Sequence, residues 1–169
     1  MDLLDRLAGH DAWTTHHVLE RCRALAPEQL HQRFDIGNGT IYGTALHLIG
    51  NVEVWTNLMR KQPVRANRTP QDRAATVDEL IARFDSAYAG FSALARQITD
   101  AGRLDDTYFD VLDDPPARKT FGGTIAHIII HDMLHRSELL HMLARLGVPD
   151  LIEGDVLSWE ALNGPERSA

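Results

Sequence analysis

The chain has 169 residues, 44% of them apolar and 24% charged, with 24 acidic against 17 basic side chains and a formal charge of −7. That length suits one domain, residues 1–169, with a sizeable core, and the composition is that of a globular protein and not a disordered one. A net acidic chain without a Lys/Arg block lacks the electrostatic footprint of a nucleic-acid binder or a membrane-surface binder, and no apolar run reaches the roughly 20 residues of a membrane span.

In chain order, residues 3–25 read as an amphipathic helix. Asp2 is its N-cap, and Leu4, Leu7, Val18, Cys22 and Leu25 form its apolar stripe. The N-terminal run "MDLLDRLAGHDAW" carries no basic stretch ahead of an apolar one, so no signal peptide is expected. The single cysteine, Cys22, leaves no disulfide framework, which points to a reducing cytoplasm. Pro27 closes the helix or opens a short turn, and "DIGNGT" reads as loop.

Thr40 then caps a second helix, 41–61, with Ile41, Ala45, Leu48, Val52, Trp55 and Met59 on its inner side. A polar connection, "KQPVRANRTPQDRAA", leads to a capping box at Thr76 and Glu79 and a third helix over 77–101. Leu80, Phe84, Phe91, Leu94 and Ile98 form its inner face, and Gly102 stops it. Residues 107–121 read as a short irregular or hairpin excursion around "DDPP". A fourth helix spans about 122–146 and ends at Gly147, with Pro149 beyond it. "DVLSWEAL" suggests one last helical turn before a loose tail, "GPERSA". Four long amphipathic segments in one chain of this size predict an all-α fold, a four-helix bundle.

The chemistry concentrates in "GTIAHIIIHDMLHRSELLHML", residues 123–143, which holds His127, His131, His135 and His141. Residues four apart on a helix are neighbours, with Cβ atoms about 5–6 Å apart. Either His127/His131 or His131/His135 can therefore hold one ion through nitrogens at about 2.0–2.1 Å. His127 and His135 lie about 12 Å apart along the axis and cannot easily share it. Spacing alone leaves a metal pair and a set of core histidines both open, since nine histidines make such pairs common.

Two adjacent imidazoles buried without partners would be costly, and a metal supplies the missing partner. His47, in the second helix, is the natural third ligand, and three nitrogens would leave an open position for water or substrate. "HDMLH" at 131–135 differs from the H-E-x-x-H of zinc peptidases. Asp132 is one methylene shorter than the peptidase glutamate, and its position points away from the histidine face. Glu138 lies on that face, three residues past His135. In the first helix Asp11 and Thr14 interrupt the apolar stripe, flanked by His10 and His17.

Taken together, "HDAW" at 10–13, "TIYGTALHLIGNVEVW" at 40–55 and "HIIIHDMLHRSELLHMLARLG" at 127–147 resemble the DinB/YfiT-like superfamily of metal-binding four-helix bundles. Its pattern is a His on the second helix and H-x-x-x-H-R on the last long helix. Here these are His47, His131 and His135, followed by Arg136, so the resemblance selects the 131/135 pair and leaves His127 as a neighbour. Where the family often reads H-R-G-Q, this chain reads "HRSE".

The resemblance implies a divalent metal, commonly zinc or nickel, and a homodimer. It also implies kinship with transferases using bacillithiol or mycothiol and with a mycothiol-requiring isomerase. The reading that follows is a cytoplasmic, metal-dependent enzyme activating a low-molecular-weight thiol against a small-molecule electrophile. A hydrolase using Glu138 or Asp11 as base, and a non-catalytic metal-stabilised bundle or ligand sensor, are the alternatives. The pocket is expected to draw on His10, Thr14, His17, Asn51, Trp55 and His127. No nucleic-acid or membrane partner is expected.

Overall fold

A computed structural model describes residues 1–64, 75–152 and 154–164. Part of the polar connection after the second helix and nearly all of the expected loose tail lie outside the described residues. The structure is mostly helical, with one small two-stranded sheet. Helix α1 runs Leu3–Arg21, followed by a 3-10 turn at Cys22–Ala24, and α2 is a single turn at Pro27–Leu30. Helix α3 spans Ile41–Met59 and α4 spans Val77–Asp100. Strands β1 (Thr107–Asp110) and β2 (Ala117–Thr120) pair antiparallel, with Thr107 opposite Thr120. Helix α5 covers Phe121–Arg145 and α6 covers Val156–Asn163.

The helix starts are set by local chemistry. Asp2 accepts from the Asp5 amide at 2.9 Å while the Asp5 carboxylate accepts from the Asp2 amide at 2.8 Å. Thr40 accepts from the Gly43 amide at 2.8 Å. Thr76 and Glu79 make the reciprocal pair that opens α4. Each such cap satisfies backbone donors the helix leaves orphaned. Two helices stop at glycines in the left-handed region, Gly102 at φ 66° and Gly147 at φ 74°, where other residues would be strained. The final helical turn expected near 156–163 is a two-turn helix, capped by Asp155.

Helix α5 packs against α1 and α3, and α4 packs against the same two helices from the other side. One core of buried side chains links them, including Val18, Leu48, Val52, Phe84, Phe91, Ile128, Leu139 and Met142. The hairpin sits against α3 through β1 and against α5 through β2. Helix α6 lies on α1, where Trp159 comes so close to Gly9 that a Cβ there would fall 2.6 Å from the indole.

The apolar stripe expected on α1 is only partly the buried one. Val18 and Cys22 are buried, but Leu7 is exposed, and Asp11 and Thr15 take core positions instead. The reason is tertiary: α5 brings Arg136 to that face, and an ion pair fills the space where an aliphatic contact was expected. Leu134 on α5 also lies outside, 56% exposed. Among the described residues no helix is long and apolar enough to cross a membrane.

Candidate metal centre

His47 projects from α3, and His131 and His135 from α5, across the contact between those helices. Their ligand nitrogens all lie within 4.8 Å of one another. His131 Nε2 is 3.2 Å from His47 Nε2 and 3.1 Å from His135 Nε2. The rings are inclined to one another, by 86° between His47 and His135, 66° between His131 and His135 and 49° between His47 and His131.

Such a convergence is poor as a hydrogen-bond arrangement. A neutral imidazole carries one N–H, so His131 Nε2 cannot serve two neighbours at once. A tetrahedral ion held at about 2.0–2.1 Å by imidazole nitrogens sets those nitrogens about 3.3 Å apart. The observed spacing is close to that edge length, so the donor set fits one divalent ion.

The backing of the ligands points the same way. His135 Nδ1 lies 2.6 Å from Glu138 Oε2. A carboxylate accepts, so Nδ1 carries the proton and the Nε2 lone pair faces the other two rings. Asp132, fully buried next to His131, has its Oδ1 3.7 Å from His131 Nδ1, too far for a hydrogen bond. His131 Nδ1 and both Asp132 oxygens have no hydrogen-bond partner among the described residues. Burial pushes the Asp132 carboxyl well above the usual carboxylate range, toward the neutral form. Burial pulls His131 below its ordinary value, with the Glu138 charge opposing it. The neutral imidazole favoured in this way is the form that binds metal.

The remaining candidates separate into three places. Trp55 and His127 line a cleft of about 470 Å³ together with Arg118, Lys119, Thr120, Gly123 and Thr124. The Trp55 and His127 rings meet edge to face at 5.2 Å, and His127 lies 5.3 Å from the His131 ring. Asn51 sits one turn after His47 and one turn before Trp55, and its Oδ1 accepts from the Trp55 indole N–H at 2.8 Å. These three expected pocket residues therefore form a row leading from the cleft to the imidazoles.

His10, Thr14 and His17 go elsewhere. His10 Nε2 bonds the Gly154 carbonyl at 2.5 Å, the Thr14 hydroxyl donates to the His10 carbonyl at 2.7 Å, and His17 stacks on Trp13 beside a separate surface pocket with His16, Glu20 and Arg21. The segment before α6 thus reaches His10 and Thr14, while Asp11 is taken up by Arg136 and Tyr88.

The two candidate bases are both engaged. Glu138 holds the far nitrogen of His135. Asp11 is fully buried, taking the Arg136 guanidinium on Oδ1 and the Tyr88 hydroxyl on Oδ2 at 2.7 Å. Arg136 also donates to Thr15 Oγ1 at 3.0 Å. Burial brings the Arg136 guanidinium down to about 10, so it stays charged at neutral pH. Sequence reasoning missed this pairing, although an Asp in one apolar helix and an Arg in another were its signal, since buried charges need partners.

The comparisons with known proteins agree with this architecture. The model of the DinB superfamily matches residues 10–139. The chain has no match among curated proteins. Among solved structures it is similar to one from Exiguobacterium sibiricum 255-15 described within the DinB family, at 20% identity and a TM-score of 0.61, covering 90% of this chain and 95% of that one. That likeness speaks for the fold. With the family model spanning both helices that carry the three histidines, the chain belongs to the DinB superfamily.

Proposed function

We propose that the protein is a metal-dependent enzyme of the S-transferase type, binding a divalent ion, zinc or nickel, through His47, His131 and His135 in a four-helix bundle. The observation that carries this reading is the convergence of three imidazole nitrogens within 4.8 Å, two of their separations close to a tetrahedral edge, with no protein thiolate or carboxylate in the group. A bound ion at such a site lowers the pKa of a coordinated thiol and leaves it nucleophilic at neutral pH.

The chain's own residues divide the remaining work. Glu138 holds His135 in the tautomer that offers Nε2. The Trp55–His127 cleft provides the approach for a low-molecular-weight thiol and a small-molecule electrophile. Cys22 does not compete as a nucleophile, being buried with its thiol pushed up to about 12. Water activation has less support, because Glu138 and Asp11, the carboxylates it would need, are committed to His135 and Arg136.

The same reading takes the protein as a cytoplasmic homodimer without a nucleic-acid or membrane partner. Ile130, Met133 and Leu134, each more than half exposed on α5, support pairing of two copies. A monomer by light scattering at micromolar concentration would remove that part. For the activity, metal-loaded protein is expected to consume a model electrophile in the presence of thiol. The rate should vanish with chelator and in His131→Ala. Equal transfer by metal-free protein overturns the reading.

A further inference from the structure

We infer that Asn51 is the hydrogen-bond donor for an anionic ligand bound at the three-histidine centre, which enters by the cleft between Trp55 and His127. This rests on the metal reading above and adds to it the residue that recognises the incoming ligand and the chemistry it selects.

Asn51 is only 9% exposed, yet its Nδ2 has no hydrogen-bond partner among the described residues. A buried amide donor left unpaired is costly, and native proteins rarely keep one without a use. The orientation of the amide is not arbitrary. The indole N–H of Trp55 can only donate, so the Asn51 atom it meets at 2.8 Å is the oxygen, and the free end is the N–H₂ group. With the oxygen drawn along α3 toward Trp55, the forked amide turns its nitrogen away from that residue.

Position supplies the target. Asn51 follows His47 by one helical turn, so their Cβ atoms are about 5–6 Å apart on one face of α3. Across from that face are His131, whose Nε2 is 3.2 Å from His47, and His127, whose ring touches both His131 and Trp55. Asn51 therefore stands on the α3 face that carries His47 and Trp55, with the imidazole trio one turn to one side and the cleft-lining Trp55 one turn to the other. The donor carries no charge and cannot displace a histidine from the ion. What it selects is a ligand whose coordinating atom still holds a lone pair and negative charge: a thiolate, a carboxylate or a small inorganic anion. Trp55 fixes the amide in this role before the ligand arrives, which saves the ordering cost at binding.

The test uses protein loaded with cobalt(II), whose visible spectrum reports the ligand set, titrated with azide as the anionic probe. Two variants separate donor from support. Asn51→Asp keeps an acceptor for the Trp55 indole and removes the N–H₂ donor, and Asn51→Leu removes both. Both are expected to retain the wild-type cobalt spectrum; Asn51→Leu should weaken azide binding by about 10- to 100-fold, the contribution of one hydrogen bond to a charged group, and Asn51→Asp by more, since its charge also repels the anion. If Asn51→Leu does not fold, Asn51→Ala, which likewise adds no charge, decides. Unchanged azide affinity in the variants overturns the role of Asn51 while leaving the metal site standing. Loss of cobalt binding in both folded variants also overturns it, by making Asn51 a structural support of the site. A wild-type protein that takes up no cobalt sinks this inference and the metal reading together.

Discussion

Two polar clusters meet on α5 at consecutive residues and have opposite characters. Arg136 turns toward α1 and finds Asp11, Thr15 and through Asp11 the Tyr88 hydroxyl, so that donors and acceptors are matched inside the core. His135 turns toward α3 and joins His47 and His131, where three nitrogens of the same kind face one another. The first cluster is complete as it stands. The second leaves three converging nitrogens that could hold a metal ion. Burial and polarity are common to both, so neither marks a functional site by itself. The distinguishing property is whether the groups satisfy each other.

That contrast can be broken experimentally, and the largest effect should come from the complete cluster. Arg136→Met leaves the Asp11 carboxylate buried without its countercharge and should cost about 3–5 kcal/mol in chemical denaturation. Asp11→Asn combined with Arg136→Met removes both charges, keeps an acceptor for Tyr88 and should recover most of that loss. A double variant as unstable as the single one would show that the pair does more than balance its own charges.

The histidine cluster should behave the other way, with stability that depends on added metal. Zinc at 100 times its dissociation constant should stabilise the wild type by about 2.7 kcal/mol against unfolding, and His131→Ala not at all. Stoichiometric zinc in purified His131→Ala would contradict the ligand assignment. A smaller change is expected from Glu138→Gln, which spares the three ligands and removes the carboxylate behind His135. Metal affinity should fall about 10- to 100-fold, measured by competition with a chromophoric chelator, while the metal-free protein keeps its melting temperature.

The smallest effect is the pH response of the metal-free protein. Burial lowers the imidazole pKa of both His10 and His131 below the ordinary 6.5. A folded state that resists protonation loses ground when the unfolded chain takes up protons. Stability is thus fully present above pH 6.5 and declines as pH falls through the lowered values. Urea midpoints at pH 7.5 and 5.5 should show the drop. His10→Gln should reduce it without affecting metal uptake, because His10 bonds the Gly154 carbonyl and not the imidazole trio. A midpoint that rises on acidification would reverse the sign of the argument.

Much of this molecule was readable before any coordinates. The caps at Asp2, Thr40 and Thr76 and the glycine stops at Gly102 and Gly147 are local events, decided by residues three to five apart. The hairpin around "DDPP" followed from the same kind of short-range signal. The 131/135 spacing was also local, a property of one helix. It left His127 equally eligible, and only the resemblance favoured the later pair, which is the pair the structure brings to His47.

What sequence could not supply was the partner across each helix contact. Nothing in the spacing of α1 says that Asp11 meets Arg136 or that the Gly154 carbonyl takes His10. Nor could it say which imidazole nitrogens would meet across the contact between α3 and α5. Those facts depend on the rotation and separation of packed helices, set by the whole core at once. Sequence alone thus determined the long helices, their starts and the residue types able to bind a cation, while α1 and α3 stop at Arg21 and Met59, short of the expected 25 and 61. Tertiary structure decided which buried polar groups satisfy one another and which three imidazoles converge, because hydrogen-bond and coordination geometry is fixed to a few tenths of an ångström only after the helices pack.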